Sequence, residues 1–172
     1  APVQRNKVKL PYQMWSMDKI KPDKKALSNW VNKFNGPYVL SCKLDGVSGM
    51  YTTEGESPAL YTRGNGKIGQ DISHLIPYLR LPKTPDMTIR GEIIMKKSTF
   101  LEKYNNEYSN SRNLVAGLVN KKTIEPEKLK DIDFVAYEVI KPHLKPSDQM
   151  KYLASQDVLD VINEVKSNIE NS

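Results

Sequence analysis

An amine two residues ahead of a carboxylate, closed by a glycine, is where this chain is best equipped for chemistry: Lys43-Leu44-Asp45-Gly46. A lysine amine is protonated and poorly nucleophilic at neutral pH. Burial or cationic neighbours depress its pKa, and the free amine can then attack phosphorus or carbonyl carbon. Val39 and Val47, with Val31 and Met50 further out, are expected to supply apolar surroundings for Lys43. Asp45 is placed to orient the amine, and Gly46 to let the backbone approach a nucleotide with no side chain in the way. The plain alternative is a strand-end lysine followed by an Asp-Gly turn, and four common residues alone do not exclude it.

Three further groups could serve the same chemistry. Thr62-Arg63-Gly64-Asn65-Gly66-Lys67-Ile68-Gly69-Gln70-Asp71 is a basic, glycine-rich loop whose backbone N–H groups could meet phosphates, with Arg63 and Lys67 bracketing it. A hairpin loop whose glycines merely permit positive φ reads equally well. Arg90-Gly91-Glu92 lies inside a strand-like run. There, alternation puts Ile89, Ile93 and Met95 on one face and Arg90, Glu92 and Ile94 on the other. A charged pair on an inner face is costly unless it is paired or binds something, and a carboxylate suits two ribose hydroxyls. Ser111-Arg112-Asn113 opens a helix, a place suited to anions, although simple capping by Ser111 explains it too.

The elements that must position these residues follow from periodicity and punctuation. Residues 1–22 are basic and proline-bearing, and we expect them to lie as an extended segment across the domain formed by 23–172. Asp23 is expected to cap a helix carrying Leu27, Trp30, Val31 and Phe34, ended at Gly36. Strands are expected at 38–43, 47–53 and 59–62, the last two joined by a turn at Glu54-Gly55-Glu56-Ser57. A short helix at 72–79 and a strand at 87–95 follow. Next comes a helix opened by Ser98 or Thr99, with Glu102 reaching back to the cap. Helical pieces at 113–120 and 126–130 precede a strand at 132–140. Ser147 is then expected to cap a long last helix carrying Met150, Leu153, Val158, Val161, Ile162 and Val165. Hairpins among alternating strands and helices predict an α+β fold with mostly antiparallel sheet.

Composition bounds the partners. With 172 residues, 27% charged and 38% hydrophobic, the chain is expected to be one soluble domain, with no membrane-spanning run and no apolar signal core at its start. The net charge of +6 favours a polyanion such as nucleic acid. Cys42 is the single cysteine, which excludes an intrachain disulfide and a Cys-rich zinc site. It is expected to be buried in the strand at 38–43, in a reducing, intracellular compartment. His74 and His143 have no partner spacing that suggests a metal.

Taken in order, these blocks resemble the adenylation (nucleotidyltransferase) domain of NAD-dependent DNA ligases, from about Leu10 to Tyr152. The likeness rests on Ser16-Met17-Asp18-Lys19, Lys43-Leu44-Asp45-Gly46, Thr62-Arg63-Gly64-Asn65-Gly66, Arg90-Gly91-Glu92, Ser111-Arg112-Asn113 with Gly117, and the looser Phe134-Val135-Ala136-Tyr137. The wording is closer to ligases of large DNA viruses or phages than to bacterial ones. The resemblance implies an ATP-grasp-like ligase fold and a substrate pair of NAD+ and nicked double-stranded DNA, in replication or repair. It implies that Lys43 takes AMP from NAD+ as a phosphoramidate, releasing nicotinamide mononucleotide, with Asp45 supporting it. Ser16 and Met17 would line the cofactor cleft, Arg63 would contact phosphate or the nick, Glu92 would hold the ribose and Tyr137 would stack on adenine. Lys67, Arg112 and Asn113 would face phosphates or DNA. Mg2+ would sit near Asp45 and Glu92 without a side-chain cluster of its own.

The chain departs from the family at Ser41, where a glutamate usually reads adenine. The preceding nicotinamide-binding segment and two later lysine-bearing motifs are also missing from the 172 residues. We therefore expect a fragment or one subunit of a split ligase, completed by a C-terminal segment or second chain and unable to seal nicks alone. Two other readings are an ATP-dependent ligase or capping-type nucleotidyltransferase, and a non-catalytic remnant that binds DNA or a partner.

Overall fold

A five-stranded sheet with two unlike faces organises the molecule. The computed structural model describes residues 7–121 and 123–163. The strands are β1 (Lys7–Lys9), β2 (Val47–Thr52), β3 (Ala59–Thr62), β4 (Ile68–Gln70), β5 (Thr88–Met95), β6 (Ile132–Lys141) and β7 (Leu159–Asp160). The main sheet has the order β3-β2-β5-β6-β7, antiparallel except for the β6–β7 pair, while β1 and β4 form a separate antiparallel ribbon. The helices are α1 (Lys24–Lys33), α2 (Lys97–Lys103), α3 (Ser111–Asn120), α4 (Pro126–Leu129) and α5 (Pro146–Ser155), with a 3-10 turn at Ser73–Tyr78. This is the α+β arrangement with antiparallel sheets that the sequence predicts. Among the described residues, no helix is long and apolar enough to cross a membrane.

One face of the sheet is the core. Ile89 and Ile93 of β5 and Phe134 of β6 are buried against Leu114, Val115, Leu118 and Val119 of α3, with Leu153 of α5 packed over β6. The period-2 pattern of β5 meets the four-residue spacing of α3, and both stripes lose water together. The other face carries Met50, covered by Leu10 and Met14 of the N-terminal segment. That segment is held by backbone bonds from Leu10 to the Lys67 carbonyl and from Met14 to the Gly66 carbonyl, both 2.8 Å. Tyr12 adds a bond to Glu54 at 3.0 Å.

Several expectations are corrected here. The segment 38–43 is not a strand: β3 and β5 already occupy both edges of β2, and no described strand lies beside these residues to satisfy their backbone. Leu40 is accordingly 88% exposed, and Cys42 is exposed rather than buried. Asp23 does cap α1, accepting from the Ala26 N–H at 2.8 Å, but the helix buries none of its residues. Its apolar side chains instead meet each other, Trp30 lying 5.6 Å from Phe34 and 5.1 Å from Tyr38 between ring centres.

Caps differ by a residue or are missing. Asn110, not Ser111, caps α3 by accepting from the Asn113 N–H at 2.8 Å. Lys96 and Lys145 begin α2 and α5 without a side-chain cap, so Ser98, Thr99 and Ser147 lie inside the helices. The expected long last helix is interrupted: α5 stops at Ser155, and residues 161–163 are helical again after β7. Val158 packs into the core just before β7, and buried Asp160 then accepts from the N–H groups of Ile162 and Asn163. Val165 lies outside the described residues.

Candidate functional site

The open face of the sheet forms the floor of a cavity of about 1040 Å³. Its register places Ser48 of β2 directly opposite Glu92 of β5, and Met50 opposite Arg90. Ser48 Oγ donates to Glu92 Oε2 at 2.9 Å, and the Gly46 backbone N–H also reaches that carboxylate. Burial raises the Glu92 pKa from its ordinary value, opposed by Ser48, by the charges of Arg90 and Arg112, and by the Gly46 N–H. Tyr137 of β6 borders the same space; burial raises its phenol pKa, and the Arg90 charge opposes the rise.

Gly46 lines the cavity, and its missing side chain has a packing reason. A Cβ there would stand 2.1 Å from the Ile93 carbonyl, so only glycine lets the chain cross β5 on its way into β2. The basic loop is shaped by Gly64, at φ 55°, where a Cβ would lie 2.0 Å from the Ile68 carbonyl. This turn brings Arg63 back over the sheet. Its N–H bonds the Ser48 carbonyl at 3.0 Å, and its Nη1 donates to Ser16 Oγ at 2.5 Å. The loop, the N-terminal segment and the sheet floor are thereby tied together.

Of the residues singled out in the sequence, Ser16, Met17, Lys43, Asp45, Arg63, Glu92, Arg112 and Tyr137 all line this cavity. Lys67 and Asn113 do not. The Lys67 backbone is engaged by Leu10, and Asn113 Nδ2 turns back to Ser109 Oγ at 2.6 Å. The apolar enclosure expected around Lys43 is not formed: Lys43, Val39 and Val31 are exposed, and Met50 is buried under the N-terminal segment. Asp45 faces Arg112 at 3.8 Å, between two exposed side chains, and no ion pair joins it to Lys43 among the described residues.

The sequence singles out none of Ser48, Asn120 and Glu138, and names Arg90 and Lys19 only within larger groups, yet all five also line the cavity. Two signals pointed to some of them. Ser48 follows Gly46 by two residues and so shares the face of Met50. Arg112, Ala116 and Asn120 recur every four residues along one side of α3. Five cationic side chains (Lys19, Lys43, Arg63, Arg90, Arg112) outnumber three carboxylates (Asp45, Glu92, Glu138), which suits an anion. Among the described residues, no group of three or more His, Cys, Asp or Glu side chains is arranged to hold a metal ion.

Known proteins have similar sequences. A DNA ligase of Acanthamoeba polyphaga mimivirus is 47% identical over 161 residues, covering 89% of this chain and 25% of that protein. A protein of Invertebrate iridescent virus 6 is 44% identical over 140 residues, 78% of this chain and 23% of its own length. A DNA ligase of Borreliella burgdorferi (strain ZS7) is 34% identical over 119 residues, 62% of this chain and 18% of that protein. The chain thus spans about a quarter of the viral relatives it matches. A family profile described as NAD-dependent DNA ligase adenylation domain covers residues 3–171. With this profile spanning nearly the whole chain and a basic cavity lined by its blocks, the chain belongs to the NAD-dependent DNA ligase adenylation domain family.

Proposed function

We propose that this chain is the AMP-accepting part of a DNA ligase, and that Lys43 carries the adenylate. The observation that supports it best is convergence: Lys43, Glu92, Tyr137, Arg63 and Arg112 come from five separate stretches of sequence and border one cavity. In the proposed reaction the Lys43 Nζ attacks the α-phosphorus of NAD+. An N–P bond forms, the P–O bond to nicotinamide mononucleotide breaks, and the amine gives up a proton. The AMP then passes to the 5′ phosphate of nicked DNA.

Each side chain has a task that its surroundings permit. The Glu92 carboxylate accepts from the ribose hydroxyls, with Ser48 fixing its orientation. Tyr137 offers a ring for stacking on the base. Arg63 and Arg112 bring permanent positive charge to the phosphates, where phosphoryl transfer gains most from positioning and charge neutralisation. Mg2+ commonly uses one or two carboxylates plus substrate phosphates, and exposed Asp45 on the cavity wall fits that donor set. Bound there, the ion would neutralise phosphate charge. Residues 15–17 would close one side of the cleft. With Ser41 exposed on the cavity wall, adenine selection would fall to other groups.

The test uses the full-length ligase containing this domain, incubated separately with adenylate-labelled NAD+ and ATP. Covalent label from NAD+ alone supports the proposal. Label from ATP alone, or none from either, overturns it.

A further inference from the structure

Arg90 holds a position that the proposed chemistry does not use. It sits in the middle of β5, is only 7% exposed, and borders both the main cavity and a second one of about 520 Å³. Its Nη2 donates to the Trp15 carbonyl at 2.8 Å, fixing the residue immediately before Ser16. Its Nη1 lies 3.7 Å from Glu138 Oε2, and its guanidinium carbon is 5.6 Å from the centre of the Tyr137 ring. The Nε is buried and has no hydrogen-bond partner in the described structure.

A buried guanidinium with an orphaned donor is a poor device for stability alone, since an apolar side chain of similar volume would fill the same space without that cost. Its distinctive property is a rigid planar fork that is always charged and reaches several partners at once. Here the fork spans two cavity walls of different origin: the N-terminal segment, through Trp15, and β6, through Glu138 and the ring of Tyr137. Ser16 continues the linkage by accepting from Arg63, so the basic loop is joined to the same assembly.

We propose that Arg90 is a positioning residue for the nucleotide cleft, holding the 15–17 segment and the Tyr137 ring in register before the nucleotide arrives. This rests on the reading of the cavity as a nucleotide site. Preorganised walls lower the cost of binding more than they alter the bond-making step. Removing the fork should therefore act on KM and leave kcat largely intact.

The experiment measures self-adenylation of the full-length ligase over a range of NAD+ concentrations for wild type, Arg90→Met and Arg90→Lys, with thermal unfolding of each. Arg90→Met is expected to raise KM about tenfold or more, with kcat within about threefold. Arg90→Lys, which keeps the charge and one donor contact, is expected to fall between. A KM equal to wild type in Arg90→Met, whatever its melting temperature, overturns the proposal. Should Arg90→Met fail to fold, Arg90→Lys decides: a raised KM supports the clamp and an unchanged one overturns it. A wild-type ligase that takes no label from NAD+ overturns the nucleotide reading and the clamp with it. Normal wild-type labelling with unchanged variants overturns the clamp alone.

Discussion

The wall made by β5 and β6 and the segment 34–45 border the same cavity but are built by opposite means. Glu92 and Tyr137 stand on strands flanked by hydrogen-bonded neighbours and backed by Phe134, Ile93 and α3, so their backbone positions are set by a dry core. Lys43 stands on an irregular stretch with exposed Val39 and Leu40, no strand partner, and a preceding helix that buries nothing. The proposed binding groups are thus positioned by the fold itself. The proposed nucleophile depends on contacts made outside the sheet. That division suits the proposed reaction, in which Lys43 first attacks NAD+ and the adenylate it carries is then attacked by the 5′ phosphate of DNA.

Replacing the nucleophile should separate the two regions most sharply. Lys43→Ala is expected to abolish covalent labelling of the full-length ligase, on the order of a thousandfold or more. Its melting temperature should stay within about 1 °C, because the side chain is exposed. A matching fall in stability would show that Lys43 supports the fold. Phe134→Ala should do the reverse, costing about 3–5 kcal/mol in denaturant unfolding, since the ring is 1% exposed at the centre of the core. A loss below about 1 kcal/mol would mean the wall is not held as described.

Two carboxylates sharpen the comparison through opposite pH signs. The folded pKa of Glu92 is raised, chiefly by burial, so the stability it contributes is full below its ordinary value and declines as pH rises through the folded one. Glu54 is also pushed up by burial, but hydrogen bonds from Thr88, Lys141 and Tyr12 prevail and its folded pKa is lowered. Its contribution is present above the ordinary value and is lost as pH falls through the folded one. Unfolding of Glu92→Gln and Glu54→Gln against wild type, from about pH 2 to pH 8, should show differences running in opposite directions, the Glu54 one below its ordinary pKa and the Glu92 one above it. Parallel trends would contradict the assignment. The smallest effect is expected at Leu40→Ser: within about 0.5 kcal/mol in unfolding, because the side chain already faces water.

Where local rules suffice, the sequence was readable. The alternation Ile89-Arg90-Gly91-Glu92-Ile93 told apart core face and site face, since a strand has only two sides. Eight of the ten residues picked for chemistry border the cavity, Lys43, Asp45, Arg63, Glu92 and Arg112 from motifs the residues themselves suggest and Ser16, Met17 and Tyr137 from the family resemblance alone. The failures share a cause in partners distant in sequence. Apolar run 38–43 reads as a strand, yet a strand exists only beside another. The apolar spacing from Met150 to Val165 reads as one helix, but Val158 and Leu159 serve the core and β7 after α5 stops at Ser155. Ser48 and Glu92, 44 residues apart, become neighbours only through the β2–β5 register.

The central claim is that the adenylate is carried by one particular nitrogen. Its most direct test is peptide mapping by mass spectrometry of the full-length ligase after reaction with NAD+. The account predicts a single adenylyl adduct on the peptide containing Lys43, absent from Lys43→Ala. An adduct on any other residue, or one that survives the substitution, would contradict it.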